Sequence, residues 1–286
     1  MRKLLTIIVY TFIMLLVGRN LVILPRFVLF TSPHAIKTDL KKETERIIAD
    51  KKGNYGVYFA DFTTGETFGI NEEEMFTAAS LNKVPIVAVL YYLENKGKID
   101  LDEQITLQKE DIQDYGTGSL RYQKPGTTYS LKTLAKLALK QSDNTAAYIL
   151  SQKIGTPVIQ KIINQWGLTQ TNMEENQTSP KDMYILFAKI FNNEVTTQDK
   201  TKELLGFMRE TDIEDRLPAK LPSSATVYHK TGDALGNLHD VGIITEGNTI
   251  FFLGVMTSDI GAQEKATKDT IATIAKKTLD YYLKRR

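Results

Sequence analysis

The sequence predicts an α/β fold of the α+β type: an antiparallel sheet flanked by terminal helices, with an inserted all-helical lobe. Three observations carry this. Stretches 55–62 and 66–70 alternate like strands around Thr63-Thr64-Gly65, and stretches 226–231, 240–245 and 249–257 do so again after Pro218 and Pro222. The chain between them is helical in period or loop-like. Amphipathic segments 36–51 and 264–283 close the two ends. Strands at both ends around a helical middle make one sheet from both termini. The expected sheet lobe is then 36–78 with 222–286, and the expected helical lobe is 79–221.

Taken in order, residues 1–30 differ from the rest. Arg2 and Lys3 precede an uncharged, mainly apolar run from Leu4 to Gly18, and a second apolar run follows Arg19 and Asn20. A basic start before an apolar stretch is an export signal. With no A-x-A cleavage pattern before Lys37, an uncleaved signal-anchor is expected, with the remainder of the chain outside the membrane; cleavage would make the protein secreted. Residues 36–51 place Ile36, Leu40, Ile47 and Ile48 among charges, as a helix with one apolar face does. Residues 99–130 read as loop. Helical period returns at 131–140, 145–153, 157–166, 180–191 and 199–209, with Pro157 and Pro180 at helix starts. Gly247-Asn248 is the turn between the last two strands.

The totals narrow the function. The chain has 286 residues, 42% hydrophobic and 24% charged, enough for one large core. Its 36 basic and 34 acidic residues leave a net charge of +2, which is no footprint for nucleic acid. No cysteine is present, which removes disulfides, thiolate metal sites and a cysteine nucleophile. His34, His229 and His239 have no metal-ligand spacing, so no metal and no cofactor is expected. His229 adjoins Lys230 on a strand and points to the other face. His239-Asp240 reads as a satisfied structural pair. A monomer is expected.

The chain is organised around Thr77-Ala78-Ala79-Ser80-Leu81-Asn82-Lys83. The run that follows, Val84 to Leu93, is apolar on nearly every face, as in a buried helix, and Pro85 fits near its start. A helix beginning near Ser80 places Ser80 and Lys83 one turn apart on one side. Free N–H groups at that end favour developing negative charge. A lysine beside apolar surface, with a second cation nearby, loses its proton near neutral pH. That combination makes a serine–lysine nucleophile; S-x-x-K is a weak pattern, and taken alone it reads first as an N-capping serine followed by a solvated lysine.

Two further motifs follow in order: Ser142-Asp143-Asn144 between predicted helices, and Lys230-Thr231-Gly232 at the end of a predicted strand. S-x-x-K, S-D-N and K-T-G together are the signature of class A β-lactamases and penicillin-binding proteins. The sequence resembles the class A β-lactamase-like serine hydrolases over residues 36–286, including 116–120, 141–147, Arg216-Leu217-Pro218 and 229–242. The resemblance implies a β-lactamase/transpeptidase-like fold and these roles. Ser80 attacks a carbonyl and forms an acyl-enzyme, Lys83 takes or relays its proton, and Ser142 bridges to the leaving nitrogen beside Lys230. Asn144 binds the substrate's side-chain carbonyl, Lys230 and Thr231 its carboxylate, and the backbone N–H groups of Ser80 and Asp233, after Gly232, form the oxyanion hole. Asp233 is acidic where the family is usually small or polar. The loop before Thr178-Ser179-Pro180 is short and lacks the family's E-x-x-x-N; Glu174 and Glu175 are the only candidate deacylation bases there. The implied substrate class is β-lactams or the D-Ala-D-Ala peptides they mimic. The rivals are a peptidoglycan DD-peptidase and a non-hydrolytic β-lactam sensor.

A chain beginning near Lys37 is expected to be soluble and still to gain the mass of one β-lactam. Insolubility, or loss of the reaction while the full chain reacts, would assign residues 1–30 to the fold.

Overall fold

The computed structural model describes residues 34–284, without the side chains of 34–38. The apolar segment 1–30 lies outside the described residues, and none of the described helices is long and apolar enough to cross a membrane. Residues 37–286 make up one compact unit.

The chain starts with α1 (His34–Ile48), β1 (Asn54–Asp61), β2 (Thr67–Ile70) and β3 (Phe76–Thr77). A 3₁₀ turn (Ala79–Asn82) leads into α2 (Lys83–Asn95), then β4 (Gln104–Thr106), β5 (Thr128–Ser130), α3 (Leu131–Lys140), α4 (Asn144–Ile154) and α5 (Thr156–Gln165). After β6 (Gln177–Thr178) come α6 (Pro180–Phe191) and α7 (Gln198–Gly206), then β7 (Thr226–Ala234), β8 (Asn237–Glu246), β9 (Thr249–Ser258) and α8 (Glu264–Leu283).

The main sheet has the order β2-β1-β9-β8-β7, antiparallel throughout, so β1 near the start pairs with β9 near the end. Both faces are covered, which is why the central strands are apolar along their length. On β9, Phe251, Leu253 and Val255 point into a core with Val57, Phe59 and, from α8, Ile271, Ile274 and Leu279. Phe252 and Met256, on the other face, join the larger core of the helical lobe, where Phe252 meets Phe187 of α6 at 5.7 Å between ring centroids. Each such side chain contributes about 1.5–3 kcal/mol by leaving water. Helix α2 runs through this lobe, buried from Val84 to Tyr91 and packed by α3, α4 and α5. Caps set the helix starts: Ser130 accepts from Thr133 N, Asp143 from Ala146 N and Ser179 from Asp182 N.

The architecture is the one the sequence predicts, with local differences. The stretch 99–130 contains the ribbon β4–β5, paired from Gln104↔Ser130 to Thr106↔Thr128, too short for period-2 alternation to show. Strand β7 continues through Lys230-Thr231-Gly232 to Ala234 instead of ending at that motif. His239 and Asp240 do not pair, because neighbours on a strand face opposite ways. His239 is held by Thr77 O at 2.8 Å and Thr257 N at 3.1 Å, and burial pushes its pKa down to about 4.

Asp240 instead pairs with His229. Nδ1 of His229 lies 2.8 Å from Asp240 Oδ1, and Nε2 lies 3.0 Å from Glu214 Oε1. Burial alone would lower this pKa, but the two carboxylates outweigh it and raise it to about 9. The imidazolium therefore pins the segment carrying Glu214 and Arg216 to the sheet.

A pKa raised above the unfolded value near 6.5 gives stability that is complete below about pH 6.5 and lost as pH rises through about 9. The shift corresponds to about 3 kcal/mol. Thermal unfolding followed from neutral to alkaline pH should show a steeper fall for the native chain than for His229→Gln; parallel curves would remove this role.

Candidate active site

The site is assembled where the 3₁₀ turn, the loops of the helical lobe and the edge strand β7 meet. Ala79 takes φ 50°, in the left-handed region a non-glycine residue seldom enters. That bend turns the chain from β3 into the turn that holds Ser80. The helix expected from Ser80 starts instead at Lys83, after one 3₁₀ turn, and Ser80 Oγ still lies 2.8 Å from Lys83 Nζ.

Lys83 is 5% exposed, and its amine also lies 2.7 Å from Ser142 O, 3.1 Å from Ser142 Oγ and 2.7 Å from Asn144 Oδ1. Ser142 O and Asn144 Oδ1 can only accept. They take the two N–H bonds of a neutral amine and leave its lone pair for the Ser80 hydroxyl. Burial lowers the Lys83 pKa to about 8, against the opposing pull of Asp143. A pKa near 8 leaves a fraction of the amine unprotonated near neutral pH, as a general base requires.

Ser142 is placed by its own strained backbone, φ 55°, and by the loop before it. Thr117 Oγ1 donates to Ser142 O at 2.8 Å, and Asp143 accepts from Leu120 N at 2.8 Å while capping α4. A Cβ on Gly118 would stand 2.2 Å from Asp143 Cγ, so only glycine lets the loop approach this closely. Asn144 Nδ2 donates to Tyr115 O at 3.1 Å, which fixes its amide.

Lys230 comes from β7. It is 2% exposed and donates to Ser142 Oγ at 2.9 Å and to Thr231 O at 2.9 Å. Burial, then the nearby Lys83, hold its pKa well below the ordinary lysine value. Strand β7 is the sheet edge. His229 N donates outward to Met208 O at 2.8 Å, so by the antiparallel alternation Thr231 and Asp233 turn their N–H groups to the same side. A Cβ on Gly232 would stand 3.0 Å from Ala78 O and 3.1 Å from Leu81 Cγ, which brings this part of the strand against the Ser80 turn.

A cleft of about 480 Å³ opens over these groups, lined among others by Ser80, Asn82, Lys83, Tyr115, Ser142, Asn144, Tyr148, Asn176 and Asp233. Glu174 and Glu175 do not line it. Asn172 Oδ1 accepts from both their backbone N–H groups at 3.0 Å, turning the short hairpin so that both carboxylates are exposed. Glu174 borders a separate hollow of about 1230 Å³ that contains none of the motif residues. Asn176 faces the cleft instead. Its carbonyl accepts from Ala78 N at 2.7 Å, and its side chain accepts from Asn82 Nδ2. Buried Asp182 anchors this loop through Gln170 N at 2.7 Å and Thr171 Oγ1 at 2.8 Å.

Sequence reasoning missed three residues here: Asn82, Asn176 and Arg216. Arg216 is 1% exposed and donates to Asp233 Oδ1 and to His239 O. Asn82 sits inside S-x-x-K and Arg216 inside a stretch already singled out, but nothing local marks their partners. The arrangement is that of covalent acyl transfer: a serine with a lysine base, a second serine between two amines, and N–H donors turned toward one edge.

The profile of the β-lactamase enzyme family matches residues 39–282. The chain is 26% identical to "Beta-lactamase VEB-1" of Pseudomonas aeruginosa over 289 aligned positions, spanning 92% of this chain and 97% of that one. Among solved structures, PBP-A superposes with TM-score 0.81 at 27% identity, covering 86% of this chain and 97% of the other. A PBP-A variant solved as an acyl-enzyme complex with penicillin G superposes with TM-score 0.80 at 27% identity and the same coverage.

Modification of Ser80 by a serine-directed fluorophosphonate, followed by intact mass, should accelerate as pH rises and Lys83 loses its proton, with a midpoint near pH 8. Lys83→Ala should lower the rate by roughly 10²–10⁴ and flatten that profile. A profile unchanged in the variant would remove Lys83 as the base.

Proposed function

The chain belongs to the β-lactamase enzyme family, and we propose that it captures β-lactams on Ser80 as an ester that forms faster than it breaks. It is a serine hydrolase of the class A β-lactamase-like type. The observation that carries the proposal is the contact set of Lys83 Nζ, which joins Ser80 Oγ at 2.8 Å to Ser142 Oγ at 3.1 Å. In the first step Ser80 Oγ gives its proton to Lys83 Nζ and bonds to the β-lactam carbonyl carbon. The oxyanion rests on the N–H groups of Ser80 and Asp233. The ring C–N bond then breaks, and the leaving nitrogen takes a proton through Ser142, which accepts from both lysines. Asn144 meets the amide of the acyl side chain, and Lys230 with Thr231 meets the carboxylate.

Release of the ester needs a base for water. The amides of Asn82 and Asn176 stand on that side of the cleft and take no proton near neutral pH. Both loop glutamates are exposed, and neither lines the cleft. Lys83 must then serve again, without a carboxylate to hold the water. This supports slow turnover, and it equally suits a peptidase that passes its acyl group from a D-Ala-D-Ala peptide to water or an amine. The same reading has a monomer held outside the membrane by residues 1–30, with no nucleic-acid partner.

Penicillin G should add one adduct mass to the native chain and none to Ser80→Ala. A chromogenic cephalosporin should give a stoichiometric burst and then a slow steady state. Glu174→Gln and Glu175→Gln should leave the adduct lifetime unchanged. Fast turnover without a burst, or an adduct on Ser80→Ala, would overturn the proposal.

A further inference from the structure

The charges around the cleft are not what its two lysines suggest. Among its lining residues only Lys83 and Asp233 carry a charged side chain. Lys83 is 5% exposed and already bonded on all sides, whereas the Asp233 carboxylate is 46% exposed. Lys230, 2% exposed, is turned to Ser142 and Thr231 O. The group that a substrate meets beyond the oxyanion N–H is therefore an anion.

The cation behind that anion is occupied as well. Arg216 donates through Nη2 to Asp233 Oδ1 and through Nη1 to His239 O at 2.9 Å, and its Nε lies 3.3 Å from Asp215 Oδ1. Lys268 in turn pairs with Asp215 at 2.7 Å. The His229 clasp on Glu214 holds the segment from which Arg216 reaches in. Asp233 is thus held from beneath by Arg216, and its exposed oxygen covers the guanidinium on the cleft side.

We propose that Asp233 is a specificity-determining residue: it sorts acyl donors by the charge beside the bond that breaks, favouring a leaving group with an amide or ammonium N–H and slowing one with a free carboxylate. The inference rests on the acyl-enzyme reading above. A carboxylate presented at this end of the cleft, where Lys230 and Thr231 are buried, meets the exposed oxygen of Asp233, a like charge that Arg216 offsets only from beneath; such a charge changes a rate by up to about tenfold. An N–H donor at the same place gains a hydrogen bond to an ionised acceptor instead. Selection here works by opposing one ligand as much as by attracting another.

The test compares acylation of the full-length protein by benzylpenicillin and by its carboxamide, each followed by intact mass. Asp233→Asn should shift the ratio of the two rate constants toward the carboxylate compound by about tenfold. Raising salt from about 0.05 M to about 0.5 M should speed the native chain on the carboxylate compound and leave the carboxamide unchanged. Asp233→Asn removes a partner of buried Arg216, so its unfolding midpoint is measured alongside; if it does not fold, Asp233→Ser and the salt series decide. An unchanged ratio in a folded variant, or equal salt effects on both compounds, overturns the inference and leaves the acyl-enzyme reading standing. Failure of both compounds to modify the native chain overturns that reading, and this inference with it.

Discussion

Two buried amines share one serine hydroxyl, and the rest of the structure is arranged to make that tolerable. Ser142 Oγ lies 3.1 Å from Lys83 Nζ and 2.9 Å from Lys230 Nζ. Two ammonium groups this close, nearly without solvent, repel strongly. At least one sheds its proton, and the serine beside Lys83 becomes the natural donor. The surrounding polar groups steer this outcome. Ser142 O and Asn144 Oδ1 hold the amine of Lys83 in place, while Asp143, the nearest carboxylate, spends its oxygens on Leu120 N and the start of α4.

Holding three separate chain segments at one point strains the backbone locally. Ala79, Ser142 and Asn176 all take positive φ, at 50°, 55° and 52°, and all three line the same cleft. Each costs about 1–2 kcal/mol relative to ordinary backbone. Such residues persist where the surroundings over-determine them. Here the surroundings are α2, buried along most of its length, and the edge of a sheet covered on both faces. A rigid frame lets the serine wait in position without reorganising when substrate arrives.

How much of this could be read in the sequence depended on range. Helices 131–140, 180–191 and 264–283 fall where the apolar period and flanking residues place them, because Ser130 and Ser179 cap the first two from neighbouring positions. The three motifs that meet at the cleft were legible for the same reason: each is a short local string. The β4–β5 ribbon was not, since three residues per strand carry no period. Long-range pairs left no local mark. His229 finds Asp240 across two strands, and Arg216 finds Asp233 through the same sheet. That Glu174 and Glu175 are exposed outside the cleft follows from the turn that the side chain of Asn172 makes with their backbone N–H groups, which local charge does not reveal.

The pairing of β1 with β9 has a consequence for how the molecule comes into being. A chain made from its N-terminus carries Ser80 and Lys83 early, then Ser142, but obtains Lys230 only with β7, and the sheet closes only when β9 reaches β1. Contacts between the two ends of a chain form late and slowly, since a long loop must close first. Lys230, which shares Ser142 with Lys83, is absent until then, and so is the edge strand that brings Thr231 and Asp233 against the Ser80 turn. A partly made chain therefore carries the serine and its lysine with the site still open on one side.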